Sequence, residues 1–291
     1  MNWFQTNLTQ NPMMAEVGRL VNVMRGRTSS AMGIKAMLLF AIIIAALVGW
    51  ATLYSEGRTP PSVSLYAGLG YCVIAIPLRF YGLIAGERER RSWELLRVAP
   101  VSHLQITFGK LASVVFMVLF IHAIFLIPYG VAALTYEFPR FGYYSGYSSS
   151  SQEVTDPGVF GLALAFLYSI VISTFVGALT LFFSARSKRS FTALALTLGS
   201  IMALFIVMPV LWGIIFQDTY VVMLINPFYS LEYLMNPRIM SSSNGLGSDI
   251  VRGAVLFNMG TITAFCFLLT IYAAKTLHFA DDLVKFLPKK S

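Results

Sequence analysis

Long apolar segments recur along the chain at a length that matches the hydrocarbon core of a lipid bilayer. Runs of about 18 or more apolar residues are typical of membrane-spanning helices. The pattern predicts an all-α membrane protein with one transmembrane domain over residues 1–291. Its six predicted spans have the approximate boundaries 36–54, 63–85, 111–136, 158–183, 190–216 and 253–274.

An additional amphipathic element precedes the first span. Residues 13–30 carry apolar side chains at helical spacing, with charged side chains mostly on the opposite side. This pattern predicts an interfacial helix that lies on the inner leaflet. A frayed cytosolic tail is the alternative.

Composition agrees with the apolar pattern. The chain is 57% hydrophobic and 12% charged, with a mean hydropathy of +0.71, whereas soluble domains carry about a quarter charged residues. Cys72 and Cys266 both fall inside predicted spans, so we interpret them as small packing residues and not as a disulfide. The low share of charged residues therefore disfavours a water-soluble fold.

The distribution of basic residues predicts the orientation of the spans. Of the 21 Lys and Arg residues, all but Arg58, Arg140, Arg238 and Arg252 fall on one side. Basic residues beside short loops are retained in the cytoplasm, so both termini are predicted to be cytoplasmic in a multi-pass protein of the cytoplasmic (inner) membrane. The net charge of +8 reflects this asymmetry. We therefore expect the protein to contact the lipid bilayer and not to bind nucleic acid.

The predicted spans contain few groups that could couple transport to an ion gradient. They hold no Asp or Glu, and their ionisable side chains are Arg79 and His122, whereas ion-coupled transporters use such groups near the middle of the bilayer. His122 is a candidate for a translocation path, and packing against a neighbouring helix is the alternative. An ion-coupled secondary transporter is therefore disfavoured.

Sequence motifs for catalysis are also missing. The chain has no G-x-x-x-x-G-K-[ST] loop, no H-E-x-x-H motif and no Cys/His cluster of the kinds that bind nucleotides or metals. We predict no catalytic residues, no metal site and no cofactor in this chain.

The loop between the second and third predicted spans, residues 86–109, has the pattern of a helix. Glu87 and Arg91 are four positions apart, and oppositely charged pairs at this spacing support a helix. Trp93 with the following leucines supplies an apolar face.

A break and a second helix follow within the same loop. Pro100 stops the first helix, and Ser102 with Gln105 has the spacing of a capping box that opens the next one. Two interpretations remain open from spacing alone: a lever on which a soluble partner pushes, or a solvated connector.

This loop resembles that of the ABC-2 permease family. The family pattern is an acidic residue, one variable position, Gly-Thr, one further position and Glu, then Pro-x-Ser and Gly-Lys. The positions that fall on it in order are Glu89, Ser92, Glu94, Pro100, Ser102, Gly109 and Lys110. Arg91 stands where the family usually has Gly, and Ser92 replaces Thr.

The resemblance implies an ABC-2, or type V exporter-like, fold with a cytoplasmic coupling helix and short re-entrant helices before the last span. It implies a permease, usually an exporter, that pairs with a second permease copy or homologue and with ABC ATPase subunits that hold ATP and Mg. A non-transporting membrane sensor or assembly anchor with the same fold is the alternative.

The resemblance also assigns site residues. The residues expected to couple to the partner ATPase are Glu87, Glu89, Arg91, Ser92, Trp93, Glu94, Pro100 and Ser102. Those expected to line a pathway or an outer gate are His122, Asn226, Pro227 and Phe228.

Small residues repeat every four positions in the fourth span, at Ser169, Ser173 and Gly177. Such a stripe lets another helix approach closely. The neighbour could belong to the same chain or to a second copy.

Overall fold

The structure is a computed structural model, and it describes six stretches of the chain. They are residues 29–55, 60–89, 102–135, 158–216, 226–235 and 248–285. The predicted interfacial helix up to residue 28 and the middle of the predicted coupling segment, residues 90–101, lie outside them.

The described residues form helices and turns, and no β-strand occurs among them. The helices are α1 (Ser29–Tyr54), α2 (Ser62–Phe80), α3 (Ala85–Glu89), α4 (His103–Thr135), α5 (Gly158–Arg186), α6 (Ser190–Met202), α7 (Met208–Phe216), α8 (Pro227–Met235) and α9 (Ser248–Lys285). A π-helix, Ala203–Val207, joins α6 to α7.

Six helical segments are long and apolar enough to cross a membrane, which confirms the predicted all-α fold with six spans. They are Gly33–Tyr54, Ser62–Glu89, His103–Thr135, Val159–Arg186, Ser190–Trp212 and Val255–Leu277. We number them as spans one to six.

The start of α4 lies well before the apolar boundary predicted for the third span. The helix begins at His103, eight positions before the predicted span at 111, because a capping box starts it within polar sequence. The Ser102 N–H donates to Gln105 Oε1 at 2.9 Å, and the Gln105 N–H donates to Ser102 Oγ at 3.2 Å. The predicted capping box is confirmed, and each side chain satisfies a backbone donor at the start of the helix.

α5 lies at the centre of the bundle. It packs against α2, α4, α6, α8 and α9, while α1 lies to one side against α2 and α4. Tyr168, Ile172 and Val176 on α5 are fully buried or nearly so. The outward surfaces of the spans carry exposed large apolar side chains, as expected where the neighbour is lipid and not water.

The stripe of small residues on α5 is a contact within the chain. Ser169 and Ser173 are fully buried, and a Cβ placed on Gly177 would stand 2.2 Å from Val114 Cγ1 of α4 and 3.7 Å from Ile76 Cγ2 of α2. Of the two alternatives left by the sequence, the structure supports packing between helices of one chain. The missing side chain of Gly177 is what lets α4 approach α5 so closely.

We expect Gly177→Ala to destabilise the protein, because the added methyl group meets a buried, β-branched side chain with one preferred rotamer. Overpacking of this kind costs about 1–3 kcal/mol, against about 1 kcal/mol gained from helix propensity. The measurement is thermal unfolding of the purified protein in detergent micelles.

Gly199→Ala is the matched control, because no atom lies within 4 Å of a Cβ at that helical position. It should leave the unfolding temperature unchanged or raise it. In a Val114→Ala background, Gly177→Ala should cost less than in the wild type, and an equal cost in both backgrounds would show that the close approach is not the cause.

Candidate functional site

The second span does not run directly into the loop that follows it. α2 ends at Phe80, residues 81–84 form a turn, and the five residues of α3 follow. So short a helix has no stability of its own in water. We call this turn and α3, together with the groups that hold them on α4, α5 and α6, the α3 junction.

The first attachment of the α3 junction is a buried lysine on α4. The Lys110 side chain is 1% exposed, and its Nζ lies 2.7 Å from Glu87 Oε1. It also donates to the Leu83 carbonyl at 2.8 Å. A buried ammonium group costs several kcal/mol unless a counter-charge and acceptors surround it. This requirement fixes the turn and α3 against α4.

The second attachment comes from the end of α5. Ser184 Oγ accepts hydrogen bonds from the backbone N–H groups of Ile84 and Ala85, at 2.9 and 3.1 Å, so it satisfies donors that a helix start leaves without partners. Arg88 Nη1 donates to the Ala185 carbonyl at 2.8 Å. A guanidinium group at the C-terminal carbonyls of α5 also complements the helix dipole.

The third attachment caps α6. The Glu89 carboxylate accepts from the Ser190 backbone N–H at 2.8 Å and from Ser190 Oγ at 2.7 Å. Arg189 occupies the N-cap position of α6 and makes no side-chain cap. Glu89 therefore supplies from another element both the acceptor and the negative charge that a helix N-terminus favours.

The α3 junction thus joins the second span to the third, fourth and fifth spans. Of the predicted coupling residues, the structure places Glu87 and Glu89 against the chain's own helices and Ser102 in the α4 capping box. The other five lie outside the described residues, namely Arg91, Ser92, Trp93, Glu94 and Pro100.

Sequence reasoning missed three of the groups that form the α3 junction. Lys110 was noted only as part of a Gly-Lys pair, and Ser184 and Ser190 were not singled out. Their partners lie between 23 and 101 positions away. The sequence did contain one signal for Lys110, since a lysine inside an apolar helix needs a carboxylate nearby. That signal does not identify which carboxylate is the partner.

His122 packs between three helices. It is 2% exposed, and its Nδ1 lies 2.9 Å from the Val118 carbonyl of its own helix and 3.9 Å from Cys72 Sγ of α2. Its ring meets Phe166 of α5 edge-on, with centroids 5.8 Å apart. The structure therefore places the imidazole in an interhelical contact.

Asn226 fastens the start of α8 to an irregular helix. Its Oδ1 accepts from the Phe228 N–H at 2.9 Å, as an N-cap does, and its Nδ2 donates to the Phe205 carbonyl at 3.2 Å. Pro209, four residues on, has no N–H, so that carbonyl has no α-helical partner. The π-helix begins two residues earlier, at Ala203. Asn226 thus gives that carbonyl a side-chain donor.

α8 returns into the bundle. Phe205 lies roughly 16 Å along the helix axis before the end of α7 at Phe216. Because Asn226 contacts the Phe205 carbonyl, Asn226 lies at the level of Phe205 and not at the level of the end of α7. Leu231 is fully buried, and the Tyr168 and Ser230 side chains are hydrogen-bonded. α8 therefore packs within the bundle, whereas the predicted re-entrant course stays a prediction; residues 217–225 lie outside the described residues.

Pro227 and Phe228 share this packed environment. Pro227 is buried, and the Phe228 ring lies 6.1 Å, centroid to centroid, from Tyr66 at the start of α2. The Tyr66 hydroxyl donates to the Phe228 carbonyl at 3.4 Å. The three predicted gate residues are therefore held together at the start of α8, where they connect α2 with the π-helix.

Comparison with protein families gives one finding. The family model described as "ABC-2 family transporter protein" matches residues 10–283, which confirms the resemblance read from the loop between spans two and three. A comparison with curated proteins gives no match.

We expect Glu89→Ala to destabilise the protein by about 1–2 kcal/mol, because α6 loses its cap. Ser190→Ala should also lower stability, but it should have no further effect in the Glu89→Ala background. The double-mutant cycle is measured by thermal unfolding, with exposed Arg189→Ala as the control. Equal effects of Ser190→Ala in both backgrounds would contradict the contact.

Asn226→Ala should cost about 1–3 kcal/mol, since it removes both the α8 cap and the donor to Phe205. In a Pro209→Ala background the new backbone N–H can serve the Phe205 carbonyl, so the same change should cost only the cap, about 1 kcal/mol. Unfolding in detergent measures both values, and an equal cost with and without Pro209 would argue against this role of Asn226.

Proposed function

The chain belongs to the ABC-2 transporter family, and we propose that it is the membrane-spanning permease subunit of an ATP-driven exporter, coupled to separate ATPase subunits. In this proposal two permease copies, or one copy and a homologue, form the translocation path. The ATPase subunits hold ATP and Mg. Both termini and the loop after span two face the cytoplasm from the inner membrane.

The positions of the acidic groups support an external source of energy. Within the six spans of the described residues, the acidic side chains are Glu87 and Glu89, both in the last turn of span two. Both are engaged by the chain's own groups. A carboxylate that binds and releases a coupling ion would be expected deeper in the bilayer. We therefore assign the energy to nucleotide hydrolysis on a partner.

The observation that carries the coupling proposal is the α3 junction. The segment 90–101 follows directly after Glu89, whose carboxylate caps α6, and two residues after Glu87, whose carboxylate pairs with Lys110 on α4. A displacement of that segment therefore acts on more than one span at once, because stiff hydrogen-bonded and ionic contacts connect them. This attachment supports a lever and disfavours a loose connector.

The proposal divides the predicted coupling residues into two groups. Glu87, Glu89 and Ser102 hold the ends of the segment in place. The residues between them are proposed to contact the ATPase: Arg91, Ser92, Trp93, Glu94 and Pro100.

Glu94→Lys tests the contact group. The full-length protein is purified from its native membrane in mild detergent, together with the P-loop ATPase that binds it. We expect Glu94→Lys to insert and fold as the wild type does, while less ATPase co-purifies and ATP hydrolysis in reconstituted vesicles falls, because the charge at the contact is reversed.

Arg238→Glu is the matched control, because it reverses one charge on the side predicted to face away from the ATPase. It should leave both readouts unchanged. Wild-type levels of bound ATPase and of hydrolysis in Glu94→Lys would refute the assigned contact, and the absence of any bound ATPase from the wild type would refute the proposed function.

A further inference from the structure

Two aromatic rings meet near the ends of the fourth and sixth spans. Phe182 of α5 and Tyr272 of α9 have ring centroids 6.0 Å apart, and their planes are inclined by 44°. Tyr272 is 53% exposed. α5 and α9 pack against each other, and one further span separates them along the chain. They therefore cross the membrane in the same direction and end on the same side.

One basic residue follows each ring by a single helical turn. Arg186 is the last residue of span four, four positions after Phe182, and Lys275 lies three positions after Tyr272. Residues three or four apart lie on the same face of a helix. Both basic side chains are exposed. Because the axes of packed helices are about 8–10 Å apart, these two long side chains can reach one anion between them.

The two cations have no counter-charge in the chain as far as the structure describes it. Neither the Arg186 nor the Lys275 side chain forms an ion pair or a hydrogen bond there. At the same end of the bundle, Lys110 pairs with Glu87, and Arg88 donates to a backbone carbonyl. Since the two unpaired cations repel each other, an anion between them stabilises both.

The depth of the charges favours a lipid over a soluble partner. Arg186 and Lys275 lie in the last turns of spans four and six, so their charges are at the boundary between hydrocarbon and water. Phe182 and Tyr272 lie one turn deeper, and aromatic rings are enriched beside lipid headgroups. A soluble protein contacts loops that project beyond the spans, whereas a phospholipid presents its phosphate at this depth.

Charge also argues against a second copy on this surface. In a symmetric dimer the same patch meets itself, and cations would then approach cations, which is unfavourable. Among the side chains that the structure describes, the carboxylates are those of Glu87 and Glu89, and both are engaged within their own chain. A neighbouring copy could offer them only by breaking those contacts.

We propose that Arg186 and Lys275 bind the headgroup of a phospholipid with a net negative charge, whose acyl chains lie beside Phe182 and Tyr272. Two cations favour such a lipid over a zwitterionic one, because the positive group of a zwitterionic headgroup is repelled. The site adds a lipid ligand to the proposed transport function and does not depend on the coupling to an ATPase.

Photolabelling with two matched lipids tests the site. The full chain is reconstituted in phosphatidylcholine vesicles that contain a small fraction of a probe with a diazirine near the carboxyl end of one acyl chain. The probe is phosphatidylglycerol or phosphatidylcholine, and labelled peptides are quantified by mass spectrometry. We expect the phosphatidylglycerol probe to label the peptides around Phe182 and Tyr272 at least about fivefold more than the phosphatidylcholine probe. Around exposed Ile127 of α4, the two probes should label equally.

Lys275→Gln should lower this preference about fivefold, and adding Arg186→Gln should abolish it. Lys35→Gln is the matched control, because it makes the same change at an exposed lysine on the same predicted side of the membrane. Lys35 belongs to α1, which packs against α2 and α4. The control should keep the wild-type preference.

Four results would overturn the proposal. Equal labelling by both probes in the wild type would show ordinary surrounding lipid only, and no labelling of the patch by either probe would show that a protein surface covers it. Loss of the preference in excess inorganic phosphate, at matched ionic strength, would show a site for a soluble anion. An equal loss in Lys275→Gln and Lys35→Gln would show an effect of general surface charge. The wild-type comparison decides even where a variant fails to fold.

Discussion

The cytoplasmic end of the bundle, as predicted from charge, depends on how one ammonium group is buried. Lys110 is almost fully enclosed, and a charge in that position is stable only with a counter-charge and acceptors at hydrogen-bond distance. Glu87 and the Leu83 carbonyl meet this requirement. Because both belong to the short connection after α2, the requirement also fixes where that connection lies. The neighbouring contacts of Ser184 and Glu89 then extend the same attachment to α5 and α6.

At the opposite end of the bundle, backbone groups also need hydrogen-bond partners. Pro209 cannot donate to the Phe205 carbonyl, and in hydrocarbon a carbonyl without its α-helical partner favours another donor. Asn226 supplies it from a segment that has returned into the bundle. The irregular helix is therefore stabilised by the start of α8.

The sequence predicts the parts of this structure that depend on local pattern. Apolar length locates the six spans, and the Ser102 and Gln105 spacing predicts the start of α4. The contacts of Glu87 and Glu89 could not be predicted, because their partners Lys110 and Ser190 are distant in sequence and meet only once the helices pack. For the stripe on α5, the sequence indicated close packing, and the choice between a neighbour in the same chain and a second copy required the position of Val114.

In the proposed function, the buried ion pair of Lys110 and Glu87 transmits the work of the partner ATPase to the spans. The most direct measurement is the rate of ATP hydrolysis by the co-purified complex in proteoliposomes, compared between wild type, Lys110→Met and the exposed control Lys188→Met. If the pair transmits force, Lys110→Met should still bind the ATPase, but its hydrolysis rate should fall to that of the isolated ATPase, while Lys188→Met stays at the wild-type rate. Wild-type hydrolysis in a folded, ATPase-bound Lys110→Met complex would show that the ion pair does not transmit force.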